Sequence, residues 1–404
     1  MNETVRYLIS FLLYGNEEAI PLVGYTRDEE EAKKFKINIL PSPNSPLYDP
    51  QKTWADFLPE VEQTLSNRTI NNDVDIISAA CFFLSRAEET VNTKRDMHGR
   101  LLAKDSLVGR HNLINIPLID EYSRWLMKRL QLSLPQQGFS QVNLTHDIDF
   151  LTFYRHPRGL LGGIKRGKII GTFQSVINIK NDPAYTYPWL IKQDKGFNSI
   201  YFIKATDGKG FDYPQYNLYG KDFKHICDLI RKSGAQIGLH LGYDASQREG
   251  TLIRKEKESL EKALGQTVCL NRYHWLRSKS LDNMQKLADA GITDDYSIGF
   301  ADYAGFRLLT SRPVRWINPK SLQLTTLTLH PLTIMDCTLS NDNYMNLSED
   351  EAYYACQQII DKTYQNSGEL TILWHNSIFA QKGYHKSLYP AVVRLIRDLS
   401  PNNN

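Results

Sequence analysis

From Gln141 onward the chain alternates short apolar runs with longer charged stretches, and that rhythm constrains its fold more than any other feature. The apolar runs are Val142–Thr145, Ser199–Ile203, Gln236–Leu239, Thr325–Leu329 and Leu370–Trp374. Between some of them lie Lys221–Lys232, Lys255–Leu264 and Ser280–Ala290, which carry helical patterning. The last ends in Gly291, a residue suited to a helix C-cap. Strand and helix in alternation imply an α/β protein with a largely parallel sheet. Seven or eight such units in roughly 265 residues suit a (β/α) barrel better than a small open sheet.

The first 135 residues read differently, as a smaller α+β auxiliary domain preceding a barrel domain over 136–404. Val5–Tyr14 and Ile20–Tyr25 are expected as strands, with turn chemistry at Gly15-Asn16. Pro41–Pro46 is loop, Asp75–Arg86 and Leu118–Leu130 are patterned as helices, and Leu134–Ser140 reads as the linker. A length of 404 residues is enough for two cores, and a chain 41% hydrophobic and 23% charged is not a disordered one. Lys plus Arg number 48 against 45 Asp plus Glu, so the net charge of +3 gives no reason to expect nucleic-acid or membrane-surface binding. The apolar run Tyr7–Tyr14 is short and lacks a small-residue cleavage site, and nothing approaches a membrane span of about 20 residues. Five cysteines with no Cys-x-x-Cys spacing are expected as free thiols, and the protein is expected to be cytoplasmic.

In parallel α/β folds, functional groups gather at the C-terminal ends of strands. The first barrel run opens into His146-Asp147-Ile148-Asp149, where residues two apart on an extended segment face the same way. Asp147 and Asp149 can therefore share one mouth, a placement that calls for a cation or an arginine between them. Another run ends at His240, and the last at His375. Carboxylate and imidazole together suit zinc or a neighbouring first-row divalent metal. In Asn271–Arg277, Arg272 and His274 alternate with Tyr273 and Trp275 and face one way if the segment is extended.

These residues carry a resemblance to the polysaccharide deacetylase (NodB-like, carbohydrate esterase family 4) superfamily, in particular to a bacterial branch with its own N-terminal domain. The usual Thr-Phe-Asp-Asp-Gly motif stands here as Thr145-His146-Asp147-Ile148-Asp149, and Ser199–Ile203 resembles the strand that follows. Ile237–His240 resembles the start of a His-Ser/Thr-x-x-His metal motif, Arg272–Trp275 an Arg-x-Pro segment, and Ile372–His375 the closing Leu-x-x-His. Phe82–Glu89 and Arg95–Arg100 resemble the N-terminal part of that branch. The resemblance implies an irregular (β/α)7-type barrel and a metal-dependent de-N-acetylase with one divalent ion, most naturally Zn2+, acting on an N-acetylated sugar or glycan.

It further implies Asp147 as general base, oriented by Arg272, with Asp149, His240 and His274 as ligands and His375 as general acid. The roles of the two aspartates can also be exchanged. The second metal histidine of the motif falls at Asp244, which leaves His274 as the better substitute ligand and Asp244 as the second choice. Tyr243, Trp275 and Tyr296 are candidates to stack on sugar rings, and Asp336 is a candidate partner at the site. The alternatives are a glycosyltransferase that holds its cation through Asp147-Ile-Asp149, and a carbohydrate-binding relative without metal. No phosphate-binding glycine loop stands in a strand-to-helix context to favour the first.

Overall fold

The computed structural model describes residues 2–67, 74–247 and 250–400. A parallel pair of two-residue strands, β1 (Val23–Gly24) and β2 (Ile37–Asn38), stands apart near the N-terminus. The main sheet contains β3 (Gln141–Ile148), β4 (Asn198–Ile203), β5 (Gln236–Leu241), β6 (Leu270–Tyr273), β7 (Asp294–Asp295), β8 (Val314–Asn318), β9 (Gln323–Leu329), β10 (Leu332–Met335) and β11 (Glu369–Leu373). Its order is β10-β11-β3-β4-β5-β6-β7-β9-β8, parallel throughout except for β8, which runs antiparallel to β9. The five expected strands all form, with ends shifted by a few residues. Every residue of β3 after Gln141 is buried, as befits a parallel strand covered on both faces.

The sheet is a curled nine-stranded one rather than a seven-stranded ring. β9 and β11 lie six places apart in the order, roughly 29 Å across a flat sheet. Yet His330, just past β9, places Nδ1 2.7 Å from Oε1 of Glu369, the first residue of β11. Only the residues His330-Pro331 separate β9 from β10, so one extended stretch pairs with β7 at one end and β11 at the other. The barrel is drawn round by a bend in the chain, since Pro331 has no N–H to continue a ladder.

Of the two expected N-terminal strands, one does not form and the other is reduced to two residues. Glu3–Leu12 is a helix capped by the Asn2 side chain, which accepts from the Val5 N–H. Val5, Leu8, Ile9 and Leu12 recur at helical spacing and are all buried, so periodicity outweighs the β-branched appearance of the run. Of Ile20–Tyr25 only Val23–Gly24 is strand, because Pro21 lies in the 3-10 turn Glu17–Leu22. The helices expected near 75–86 and 118–130 are present as Ile76–Leu84 and Leu118–Arg129. Both pack into a hydrophobic core that runs without a break into the barrel. Trp316 Nε1 on β8 donates to Ser85 O at 3.1 Å, and the Phe306 N–H to Ile114 O at 2.7 Å. No helix among the described residues is long and apolar enough to cross a membrane. All five cysteines are free.

Candidate functional site

The pleat of β3 sends Asp147 and Asp149 to the inner side, while Ile148 between them is fully buried in the core. His146 points the other way, with Nε2 2.9 Å from Asp194 Oδ2 and Nδ1 2.8 Å from Trp374 O. Arg272 comes across from β6, its Nη1 3.1 Å from Asp147 Oδ1 and 2.8 Å from Thr145 Oγ1. Its Nε donates to Tyr296 O at 3.0 Å, and its guanidinium lies 4.6 Å from the Phe202 ring centroid. Four contacts leave that side chain one position, and it fixes Asp147 in turn.

His240, opposite Arg272 in the β5–β6 register, donates from Nδ1 to Arg272 O at 3.0 Å. That assignment leaves Nε2 with its lone pair turned inward, 3.4 Å from Asp149 Oδ1 and 3.6 Å from Asp147 Oδ2. His274 is held the same way, Nδ1 2.7 Å from Asp212 Oδ1, with Nε2 3.3 Å from Asp149 Oδ1. The ligand atoms of Asp149, His240 and His274 all lie within 4.8 Å of one another. Asp149 Oδ1 and His240 Nε2 are buried and have no hydrogen-bond partner. Buried polar atoms are rarely left so. Two imidazoles with anchored Nδ1 atoms and one carboxylate are a donor set that fits a divalent cation.

Burial works against ionisation of Asp149, but His274, His240 and His375 outweigh it and hold the carboxyl well below its usual range. Burial likewise pulls His274 down, and Asp149 and Asp212 more than reverse this. His375, beyond β11, has Nδ1 2.8 Å from Asp336 Oδ1, while its backbone N–H donates to Asp336 Oδ2 at 2.7 Å. Burial alone would depress that imidazole; the Asp336 carboxylate raises it well above its ordinary value. His375 Nε2 faces the pocket, 3.8 Å from Asp149 Oδ2. Asp336, Cys337 and His375 could also converge on an ion. Burial pushes the Cys337 thiol up, however, and His375 Nδ1 is committed to Asp336, so the trio reads as a carboxylate-anchored imidazole.

A cavity of about 200 Å³ opens over these groups, and Arg100, Trp275, Met335, Asn341 and Tyr344 contribute to its wall. Trp275, 36% exposed, stands on the rim with a left-handed φ of 63° and stacks on His98 at 4.5 Å. The other expected contacts lie elsewhere. Asp244 falls in the 3-10 turn Tyr243–Ser246, where the strand's alternation has ended, and is exposed, accepting from Gln247 Nε2 at 3.0 Å. Tyr243 packs outside the cavity, its ring 4.0 Å from the Arg277 guanidinium and its hydroxyl 3.1 Å from His98 Nδ1. Tyr296 is 5% exposed and stacked on His330 at 4.2 Å, which leaves no face for a sugar. Asp336 is fully buried beneath His375 and supports it rather than lining the pocket.

Sequence reasoning missed three residues of the site. Asp212 lies 62 residues from the histidine it anchors, with no spacing to betray it. Tyr344 joins the wall from the turn after the short helix Asp336–Ser340 and accepts from Arg100 Nη2 at 2.9 Å. Arg100, whose Nη1 donates to Trp275 O at 3.1 Å, comes from the N-terminal segment. The only signal for it was its place at the end of Arg95–Arg100.

The fold and the site thus define an α/β protein with a candidate metal-binding pocket at the C-terminal ends of its strands. Residues 10–135 match the model of a family of unknown function, DUF7033. No curated protein matches the chain. Among solved structures, one similar to it is described as "Crystal structure of putative polysaccharide deacetylase from Mycobacterium smegmatis". The two are 13% identical with a TM-score of 0.44, over 66% of this chain and 86% of that one. A likeness that distant carries no argument.

Proposed function

We propose that this chain is a metal-dependent hydrolase that removes N-acetyl groups from an amino sugar or a glycan intermediate. One observation carries the reading: two buried, unpartnered atoms, Asp149 Oδ1 and His240 Nε2, face each other beside His274 Nε2. Asp149, His240 and His274 would hold a divalent cation, zinc by preference for its imidazole-rich set. Bound there, such an ion polarises an amide carbonyl and makes water a better nucleophile. Asp147, held by Arg272 Nη1 at 3.1 Å, would act as the base toward an attacking water. Asp336 raises the His375 imidazole well above its ordinary value and so favours the protonated form, the one needed to protonate a leaving amine. Trp275, partly exposed on the rim, would contact a sugar ring there. In the same reading residues 136–404 are the catalytic unit, and 1–135 an auxiliary one that walls the pocket through Arg100. A glycosyltransferase would leave His240 and His375 without a task.

The test measures metal content and acetate release together. Purified protein should carry about one equivalent of zinc and release acetate from N-acetylglucosamine oligomers. Asp149→Ala, His240→Ala and His274→Ala should lose the metal, whereas Asp244→Ala should keep it. Asp147→Asn and His375→Ala should retain metal while kcat falls by roughly 10²–10⁴-fold. Full metal occupancy in the three ligand variants would sink the site assignment. A metal-loaded protein that releases no acetate from any N-acetylated sugar would sink the reaction.

A further inference from the structure

Between β3 and β4 the chain builds a helical hairpin, Pro157–Lys165 and Ile169–Ile177, whose polarity is inverted. The second helix buries Thr172 and Ser175 against the protein and exposes Ile169, Ile170, Phe173, Val176 and Ile177. The first buries Gly159 and Gly163 and exposes Leu161 and Ile164. Among the described residues, seven of the fifteen exposed large hydrophobics thus fall within one short hairpin. Scattered exposed apolar residues need no explanation, but a contiguous patch marks a contact surface.

The hairpin is a built element. Asp182 accepts from the Phe153 and Tyr154 N–H groups and from Ser175 Oγ, and Arg155 Nη1 donates to Ser175 O at 2.6 Å. Its charge is as lopsided as its polarity. Residues 150–181 hold six Lys/Arg and no Asp or Glu. Five of the six, Arg158, Lys165, Arg166, Lys168 and Lys180, are exposed around the apolar face. The sixth, Arg155, pairs with Asp222. The chain's near-neutral total conceals this, for without those six residues it carries more acid than base.

We propose that this hairpin docks on the surface of an anionic phospholipid membrane. Large apolar side chains rimmed by Lys and Arg on helices too short to span are the composition of an interfacial anchor. A second copy of the chain is disfavoured as occupant, because a two-fold contact would set five cations against the same five. The inference rests on the hairpin alone and stands apart from the deacetylase reading.

The test is co-sedimentation of the full chain with phosphatidylcholine vesicles, with and without phosphatidylglycerol. The protein should pellet with the anionic vesicles and stay in solution with the neutral ones, and added salt should release it. Ile170 and Ile177 are 75% and 84% exposed, so replacing both with Asp should leave the fold intact. Ile170→Asp/Ile177→Asp, and separately Lys165→Glu/Arg166→Glu/Lys168→Glu, should each weaken binding by at least roughly tenfold. The proposal is overturned if the unaltered protein ignores anionic vesicles, or if both variants bind as well as it does. It is equally overturned if light scattering finds a dimer that Ile170→Asp/Ile177→Asp dissociates and no vesicle binds.

Discussion

His330 sits in the bend between β9 and β10, with Nδ1 2.7 Å from Glu369 Oε1 and Nε2 2.9 Å from Asp294 Oδ1. Burial pulls its pKa down, but the two carboxylates push it up to about 9. A folded-state pKa above the unfolded value of roughly 6.5 means that the imidazolium favours the folded state. That contribution is fully present below about pH 6.5 and is lost as pH rises through about 9. Allowing for the partly exposed Asp294, it is about 2–3 kcal/mol. Urea unfolding at the two ends of this window should show the loss in the unaltered protein and little of it in His330→Gln. Parallel pH profiles for the two proteins would remove the pair from the account. Sequence reasoning did not single out His330, because Asp294 comes from a paired neighbouring strand far off in sequence and Glu369 from one that only the curl of the sheet brings near. It did single out Asp147, Asp149, Arg272, His240, His274 and His375, since strand ends and pleat alternation are local properties.

At the scale of the element, β5 shows how packing and site depend on each other. Gly238 precedes His240 by two residues and shares its face, and a Cβ there would stand 2.5 Å from Phe202 Cε1. Phe202 is fully buried and carries the Arg272 guanidinium on its ring. Gly238→Ala must therefore push the ring toward Arg272, and overpacking of this kind costs about 1–3 kcal/mol. Thermal unfolding should register that loss, while Gly171→Ala, at an exposed helical position with nothing within 4 Å, should be neutral or slightly stabilising. An unchanged melting temperature for Gly238→Ala would mean that the ring has room to move. The same scale holds the clearest misreading, Glu3–Leu12. Its β-branched and aromatic residues suggest a strand, and only the spacing of Val5, Leu8, Ile9 and Leu12 reveals the helix.

Over the whole molecule, the N-terminal segment is fastened to the barrel by buried charge. Asp120, fully buried on Leu118–Arg129, accepts from Arg312 Nε at 2.9 Å, Thr310 Oγ1 at 2.6 Å and the Ser311 N–H at 3.0 Å. Arg312 Nη1 reaches Phe11 O at 2.6 Å, joining the first helix to the same knot. Asp120→Ala would strand a buried guanidinium without its carboxylate, a loss of about 3–5 kcal/mol. Denaturant unfolding should show that loss, and Asp120→Asn, which keeps an acceptor, should lose less. If Asp120→Ala unfolded at the same denaturant concentration as the unaltered protein, the knot would contribute nothing to holding the segments together.

Legible along the chain were the α/β rhythm, five strands, the strand-end residues Asp147, Asp149, His240 and His375, and the alternating Arg272 and His274. Each follows from periodicity or from alternation along a single segment, which nearest neighbours in the chain control. Where the sequence ranked His274 first and kept Asp244 second, the tertiary structure set His274 against Asp149 and left Asp244 exposed in the 3-10 turn after β5. It alone brought Asp212, Tyr344 and Arg100 to the site, and set Tyr296, Tyr243 and Asp336 outside the cavity. It alone showed the hairpin's apolar face turned outward, since helical spacing marks a stripe without saying which side meets the core. Contacts between residues tens or hundreds of positions apart depend on how the sheet curls, and no local pattern encodes that.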